Sequence, residues 1–249
     1  MNFVALWDII IPKLGILEAN NFQVLPTMFK RKLTQSDYFL IAANLLPVIG
    51  CLFWGWSPKE VFMIYCLETV IIGVFNLVKM GIVTTVRKTD LWYAQGKAAP
   101  THGIVFMLFF LVHYGLFVAI QTGMFIQVSG MGKDSRGFFD FFLHWPRYIG
   151  PDGYILLAGL AISYAIKFIL DFLLNGEYKR ISLMKLMFQP YIRIFIQQFT
   201  VILGSMFLVF GAGKIFIVIF AVIKTWIEIA IDYEGILNKG VKDMEKDTK

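Results

Sequence analysis

The chain is predicted to be an all-α, polytopic membrane helical bundle. It should have about six transmembrane helices plus interfacial helices, with both termini cytoplasmic. Three observations lead there. The sequence is 58% apolar and 16% charged, whereas a soluble domain of this size is nearer half apolar and a quarter charged. The apolar residues fall in blocks of roughly 20, the length that crosses ~30 Å of hydrocarbon. The basic residues sort by linker: of 23 Lys and Arg, fifteen fall on one side of the blocks, five on the other and three within them. By the positive-inside rule the richer side is cytoplasmic. The isoelectric point near 9.2 is accounted for by those flanks, so no nucleic-acid partner is expected; the bilayer itself is the expected partner.

Residues 3–19 are too short to span and are interrupted by Asp8, Pro12, Lys13 and Glu18. They lack the basic start and small-residue cleavage site of a signal peptide. An interfacial helix fits better, followed by the basic cluster Lys30-Arg31-Lys32, so residues 1–35 form an N-terminal surface segment. The membrane domain, 36–234, holds apolar blocks at about 37–55, 59–85, 103–128, 153–175, 191–211 and 214–233. The outer linker carries a short aromatic stretch at 138–145, and the inner linker another at 181–188; both read as helices lying in the interface. Residues 235–249 form a polar tail. A 3+3 repeat in this arrangement would have to be inverted, and the two halves show no convincing similarity, which counts against an inverted-repeat carrier.

Ionisable residues inside the apolar blocks are functional-site candidates by default. In the first block Asn44 precedes Pro47, which frees a backbone carbonyl and bends the helix; this is either a kink satisfied by a neighbouring helix or the wall of a polar pocket. In the second, Glu68, Asn76 and Lys79 share roughly one face. Lys79 can snorkel to the inner surface. Glu68, near mid-depth, must be protonated or paired, and a purely structural hydrogen-bonded acid is the plain alternative. His113 matches Glu68 in depth, so the two are candidates for contact, although a lone membrane histidine commonly just bonds a neighbouring helix. Lys167 and Asp171 lie four apart on one face and read as a buried pair. Gln197 is positioned to bond across helices. Lys224, Glu228 and Asp232 form an i, i+4, i+8 stripe that must face the interior. Together these residues outline a polar core open toward the cytoplasm.

Cys51 and Cys66 could approach across the first hairpin, but read more simply as small apolar thiols. There is no CxxC, so neither a structural zinc nor covalent haem is suggested, and no cofactor or metal is expected.

The string from Glu68 through Gly73 and Asn76 to Lys79-Met80, with Asn44-Leu-Leu-Pro-Val-Ile-Gly and Trp54-Gly-Trp upstream, resembles DUF6498, a family of bacterial integral membrane proteins of unknown function. His113-Tyr-Gly, Gln189-Pro-Tyr-Ile-Arg193 and Lys224-Thr with Asp232 add to the likeness. Thr69 stands where the family pattern has Asn, which weakens the case for an essential acid–amide pair. The resemblance implies a multi-pass protein of the bacterial cytoplasmic membrane with six helices, and no activity.

Carboxylate, imidazole and ammonium groups in one bundle are the parts of a proton or ion relay, which makes a transporter- or channel-like role the leading expectation. The alternatives are an accessory or structural membrane subunit, with its buried charges fixing helix register, and an intramembrane enzyme acting on a lipid or quinone. The last lacks a hydrolase Ser/His spacing, HExxH or an aspartate-rich metal motif. A small ion or lipid as ligand, and a homo-oligomer or membrane-complex partner, all remain open.

Overall fold

The computed structural model describes residues 35–94, 97–130 and 143–230. The expected interfacial helix at 3–19, most of the aromatic stretch at 138–145 and the polar tail lie outside the described residues. A helix forms on each apolar block, within about three residues of the expected bounds. These are α1 (Gln35–Phe53), α2 (Pro58–Arg87), α3 (Gly103–Ser129), α4 (Pro151–Lys167, continued by a π-helical segment, Phe168–Leu174), α6 (Tyr191–Val209) and α7 (Gly213–Ala230). The short α5 (Leu183–Phe188) lies between α4 and α6. Among the described residues three helices, Pro58–Arg87, Gly103–Ser129 and Pro151–Leu174, are long and apolar enough to cross a membrane.

The arrangement is set by α2. Trp54 and Trp56 both donate backbone N–H groups to the Gly50 carbonyl, and Gly55 takes a φ of 74°, the left-handed conformation open to a residue without Cβ. Pro58 then opens α2 at a position where its missing N–H costs nothing. The helix packs against α3, α4, α5, α6 and α7. From Val61 to Thr69 every residue is buried, the signature of a helix enclosed on all sides. Close approach depends on missing side chains. A Cβ on Gly204 of α6 would stand 2.4 Å from the Phe62 ring, and that ring is itself held between Phe125 and Phe216. Small residues at helix contacts serve this purpose in lipid. Around this seam α1 packs on α7, α7 on α6, and α6 on α3. Cys51 and Cys66 are free thiols, both buried.

The core separates into two apolar clusters. Along α2 the first ends at Leu67 and the second resumes at Met80. The buried positions between them are Glu68, Thr69, Gly73 and Asn76. A belt of small and polar residues thus crosses the middle of the bundle.

Two features depart from the sequence expectation. The linker after α2 is not irregular: β1 (Thr89–Ala94) and β2 (Lys97–His102) form an antiparallel hairpin, with Thr89 opposite His102 and Ala94 opposite Lys97, so the fold is mostly helical rather than all-α. A lone two-stranded ribbon is marginal in water. This one is anchored by Trp92, whose ring meets Phe106 at 4.9 Å and Phe109 at 5.4 Å. The second feature is α5, expected to lie in the interface. Instead Leu183, Met184, Leu186 and Met187 are buried and the helix packs against α2, α3 and β1. Its polar backbone ends are satisfied from the bundle: Leu183 N–H donates to Asp90 Oδ2 at 2.7 Å, the Leu186 carbonyl accepts from Asn76 Nδ2 at 2.9 Å, and the Arg87 guanidinium donates to the Ile181 carbonyl. Arg87 also pairs with Asp90 at 3.7 Å.

Asp90 therefore joins hairpin, α2 and α5. Asp90→Ala should destabilise the protein by about 1–3 kcal/mol, the cost of a buried donor left without an acceptor. Asp90→Asn, which keeps an acceptor oxygen, should lose less. Thermal unfolding in detergent micelles measures both.

Candidate functional site

Glu68 occupies the third turn of α2, in the polar belt, and is 5% exposed. An ionised carboxylate can only accept hydrogen bonds, and two helices supply donors. Tyr164 of α4 donates its hydroxyl to Oε1 at 2.9 Å. Gln197 of α6, also buried, places Nε2 at 3.5 Å from Oε2 and donates to the Tyr65 carbonyl one turn earlier in α2. Aromatic packing holds the tyrosine: its ring lies tilted against Phe75, centroids 6.4 Å apart, and Phe75 also packs on Phe168 at 5.9 Å.

Below Glu68, between α2 and α4, lies a cavity of about 160 Å³. Tyr164 forms part of its wall, together with Asn76, Lys79, Lys167 and Gln189. The Lys79 Nζ lies 5.3 Å from the centre of the Phe172 ring, and a cation over an aromatic face is attracted to it. Tyr164 thus touches the carboxylate and borders the basic cavity at once.

A second polar group sits on α3. His113 Nδ1 and Tyr191 Oη share a hydrogen bond at 2.7 Å, and the imidazole stacks on Phe109 at 5.1 Å. Tyr191 begins α6, six residues before Gln197, or roughly 9 Å along the helix. The same helix therefore carries a partner for His113 and a partner for Glu68. Next to it in the belt, Tyr114 donates to the Thr69 carbonyl at 2.8 Å. Gln121 is fully buried, with Nε2 4.0 Å from Cys66 Sγ.

The residues singled out by sequence fare differently. Glu68 and Gln197 are brought together. Asn76 borders the cavity and ties α2 to α5. Lys167 borders the cavity as well, but neither it nor Asp171 is buried as expected: both are exposed. The reason is local. Along this helix only Gly153 and Leu156, and Phe172 in the π-helical segment that continues it, are buried, so most of its side chains lie outside the packed seam. Glu68 is hydrogen-bonded from α4 and α6, and His113 shares a hydrogen bond with the start of α6. Asn44, Lys224 and Glu228 fall on α1 and α7, with side chains outside the described set, and Asp232 lies beyond the described residues. Sequence reasoning missed Tyr164 and Gln189. Tyr164 was detectable as the residue three before Lys167, on the same helix face. No three His, Cys, Asp or Glu residues cluster as a metal site among the described residues.

The model of DUF6498, a family of unknown function, matches residues 27–244. The chain belongs to that family. No curated protein and no solved structure matches it. Family membership brings no activity with it, so the chemistry of the Glu68 site has to be argued from its own groups.

If Tyr164 and Gln197 act through Glu68, their loss should be coupled to its own. Tyr164→Phe and Gln197→Ala should each cost about 0.5–2 kcal/mol, the range for hydrogen bonds between membrane helices. The double variant Tyr164→Phe/Glu68→Gln should be less destabilised than the sum of its singles, because the two groups share one bond. Strict additivity in the melting data would place Tyr164 outside the carboxylate's environment.

Proposed function

We propose that the chain is a six-helix protein of the bacterial cytoplasmic membrane with both termini inside, and that it moves a small solute or ion in a proton-linked manner. Here 36–234 form the membrane domain, with 1–35 on the membrane surface and 235–249 as a polar cytoplasmic tail. The observation that carries this reading is the position of Tyr164 between the Glu68 carboxylate and the basic cavity.

The chemistry follows from the donor inventory. Ionised Glu68 accepts from both Tyr164 and Gln197. Protonated, it becomes a donor at one oxygen and one of those contacts must rearrange. Since Tyr164 also walls the cavity, gain of a proton at Glu68 alters the surface that an occupant meets. Two sites that alter each other's surroundings are thermodynamically coupled, and the coupling is reciprocal. A buried acid with such a link is the minimal element of proton-coupled movement. The π-helical segment beginning one residue after Lys167 adds support, since such widened turns are frequent at functional sites. In this reading His113 and Tyr191 flank the route, with Asn44, Lys224, Glu228 and Asp232 as further relay candidates.

A second reading rests on a different observation. Asn76 and Gln197 both donate to backbone carbonyls of neighbouring elements, which is what polar residues do when they fix helix register. On that reading the protein is an accessory membrane subunit.

Glu68→Gln separates the two. In sealed proteoliposomes with an imposed pH gradient, wild type should show proton-linked flux, and the variant, eluting as wild type from a sizing column, should lose at least about tenfold of it. A folded variant with undiminished flux overturns the role of Glu68. Absence of flux in wild type across a panel of ions and small solutes favours the accessory subunit.

A further inference from the structure

The end of the α2–α4 seam opposite the cavity is closed by a short strap, residues 145–150. The strap begins as a single 3₁₀ turn, Trp145–Tyr148, and ends where Gly150 leads into α4. Two contacts hold it to α2. Gly150 N–H donates to Glu60 Oε1 at 2.8 Å, and a Cβ on Gly150 would stand 3.1 Å from that oxygen. Beside it Ile149 is buried, and its Cγ2 fills the place that a Cβ on Gly153 would need. Ile64 Cδ1, also buried, comes within 3.3 Å of the same point. Two aliphatic side chains, one from α2 and one from the strap, thus converge on the bare backbone of Gly153. The strap is tied to the first turn of α4 as well: Tyr154 donates its hydroxyl to the Pro146 carbonyl at 2.8 Å and packs on Trp145.

Glu60, Ile64 and Glu68 follow one another at i, i+4 and i+8, on one face of α2. Glu68 therefore lies one turn below the isoleucine contact, about 6 Å along the axis. On its other side Tyr164 stands between it and the inner cavity. We infer that Ile149 is the plug that closes the outer approach to Glu68, and that the Glu60–Gly150 hydrogen bond is the latch that holds the plug in place.

A buried acid that serves both faces of a membrane needs a removable barrier on each side. Ile64 is fixed within the most enclosed stretch of α2. Ile149 is the half of the seal that can leave. It belongs to a strap of one 3₁₀ turn in which Pro146 and Arg147 are exposed, and such segments open at lower free energy than packed helices. The inference rests on the topology proposed above and deepens its proton-linked reading by naming the outer barrier.

The test reads access to position 68 from each face. The full chain carries Cys51→Ala and Cys66→Ala, with Glu68→Cys as the reporter. A charged, membrane-impermeant methanethiosulfonate is added to right-side-out or to inside-out membrane vesicles, and labelling is followed by mass spectrometry. In the parent, labelling from the outside should be slow. Ile149→Ala should speed it at least about tenfold, the consequence of removing a buried isoleucine side chain from the closed state, and Ile149→Val should speed it less. Glu60→Ala should also speed it about tenfold, the effect of one hydrogen bond to a charged group. Glu60→Gln, whose amide oxygen still accepts from Gly150, should stay near the parent. Labelling from the inside should be unchanged in all four. An equal rise from both faces overturns the plug, because it marks Ile149 as a packing residue only. Fast outer labelling of the parent overturns it too, as does a folded Ile149→Val with no rise, which keeps the test decisive where Ile149→Ala fails to fold. No gradient enters the assay, so a gated position 68 in a protein without flux would sink the transport reading alone.

Discussion

The structure depends on the enclosure of one helix. From Val61 to Thr69, α2 has no face turned away from protein, so whatever that stretch contains must be satisfied by its neighbours. For eight of those residues this is a packing problem, solved by aromatic rings and by the bare backbone of Gly204. For Glu68 it is an electrostatic one. A carboxylate removed from water costs several kcal/mol unless donors reach it. Only a helix already surrounded can receive donors from two directions. Tyr164 comes from α4 and Gln197 from α6, and neither would find the acid if α2 lay at the edge of the bundle.

Much of the architecture was legible before any coordinates. Hydropathy alone located the helices, because a continuous apolar block of about 20 residues is too long for a strand and reads as one helix. The hairpin at 89–102 was not legible. Its strands are short, and Pro100 together with Ala98 and Ala99 gives β2 little intrinsic preference for a strand. What fixes it is tertiary: Trp92 on α3 and Asp90 at the start of α5. The burial of α5 escaped for the same reason, since a six-residue segment rich in Leu and Met reads alike at an interface and in a core.

The candidate site was legible in half. Glu68 announces itself, because an acid within an apolar run has few innocent explanations, and Gln197 likewise. Their meeting depends on helix adjacency, which a single chain does not encode. Tyr164 was overlooked because tyrosine is common in apolar helices and its hydroxyl carries no formal charge. The expectation that Lys167 and Asp171 are buried failed because the helix that carries them buries few of its side chains: both are exposed.

The main packing partner of α4 is α2, and along α4 itself only Gly153 and Leu156 are buried. It is attached along a single seam, like a door on one jamb. Tyr164 and Lys167 both ride on it, one a hydrogen-bond donor to the acid and the other a wall of the cavity. A small swing of this one helix would therefore withdraw the hydroxyl from Glu68 and the ammonium from the cavity in the same movement. Two chemically different events would share one mechanical degree of freedom, without any relay of contacts through the rest of the bundle.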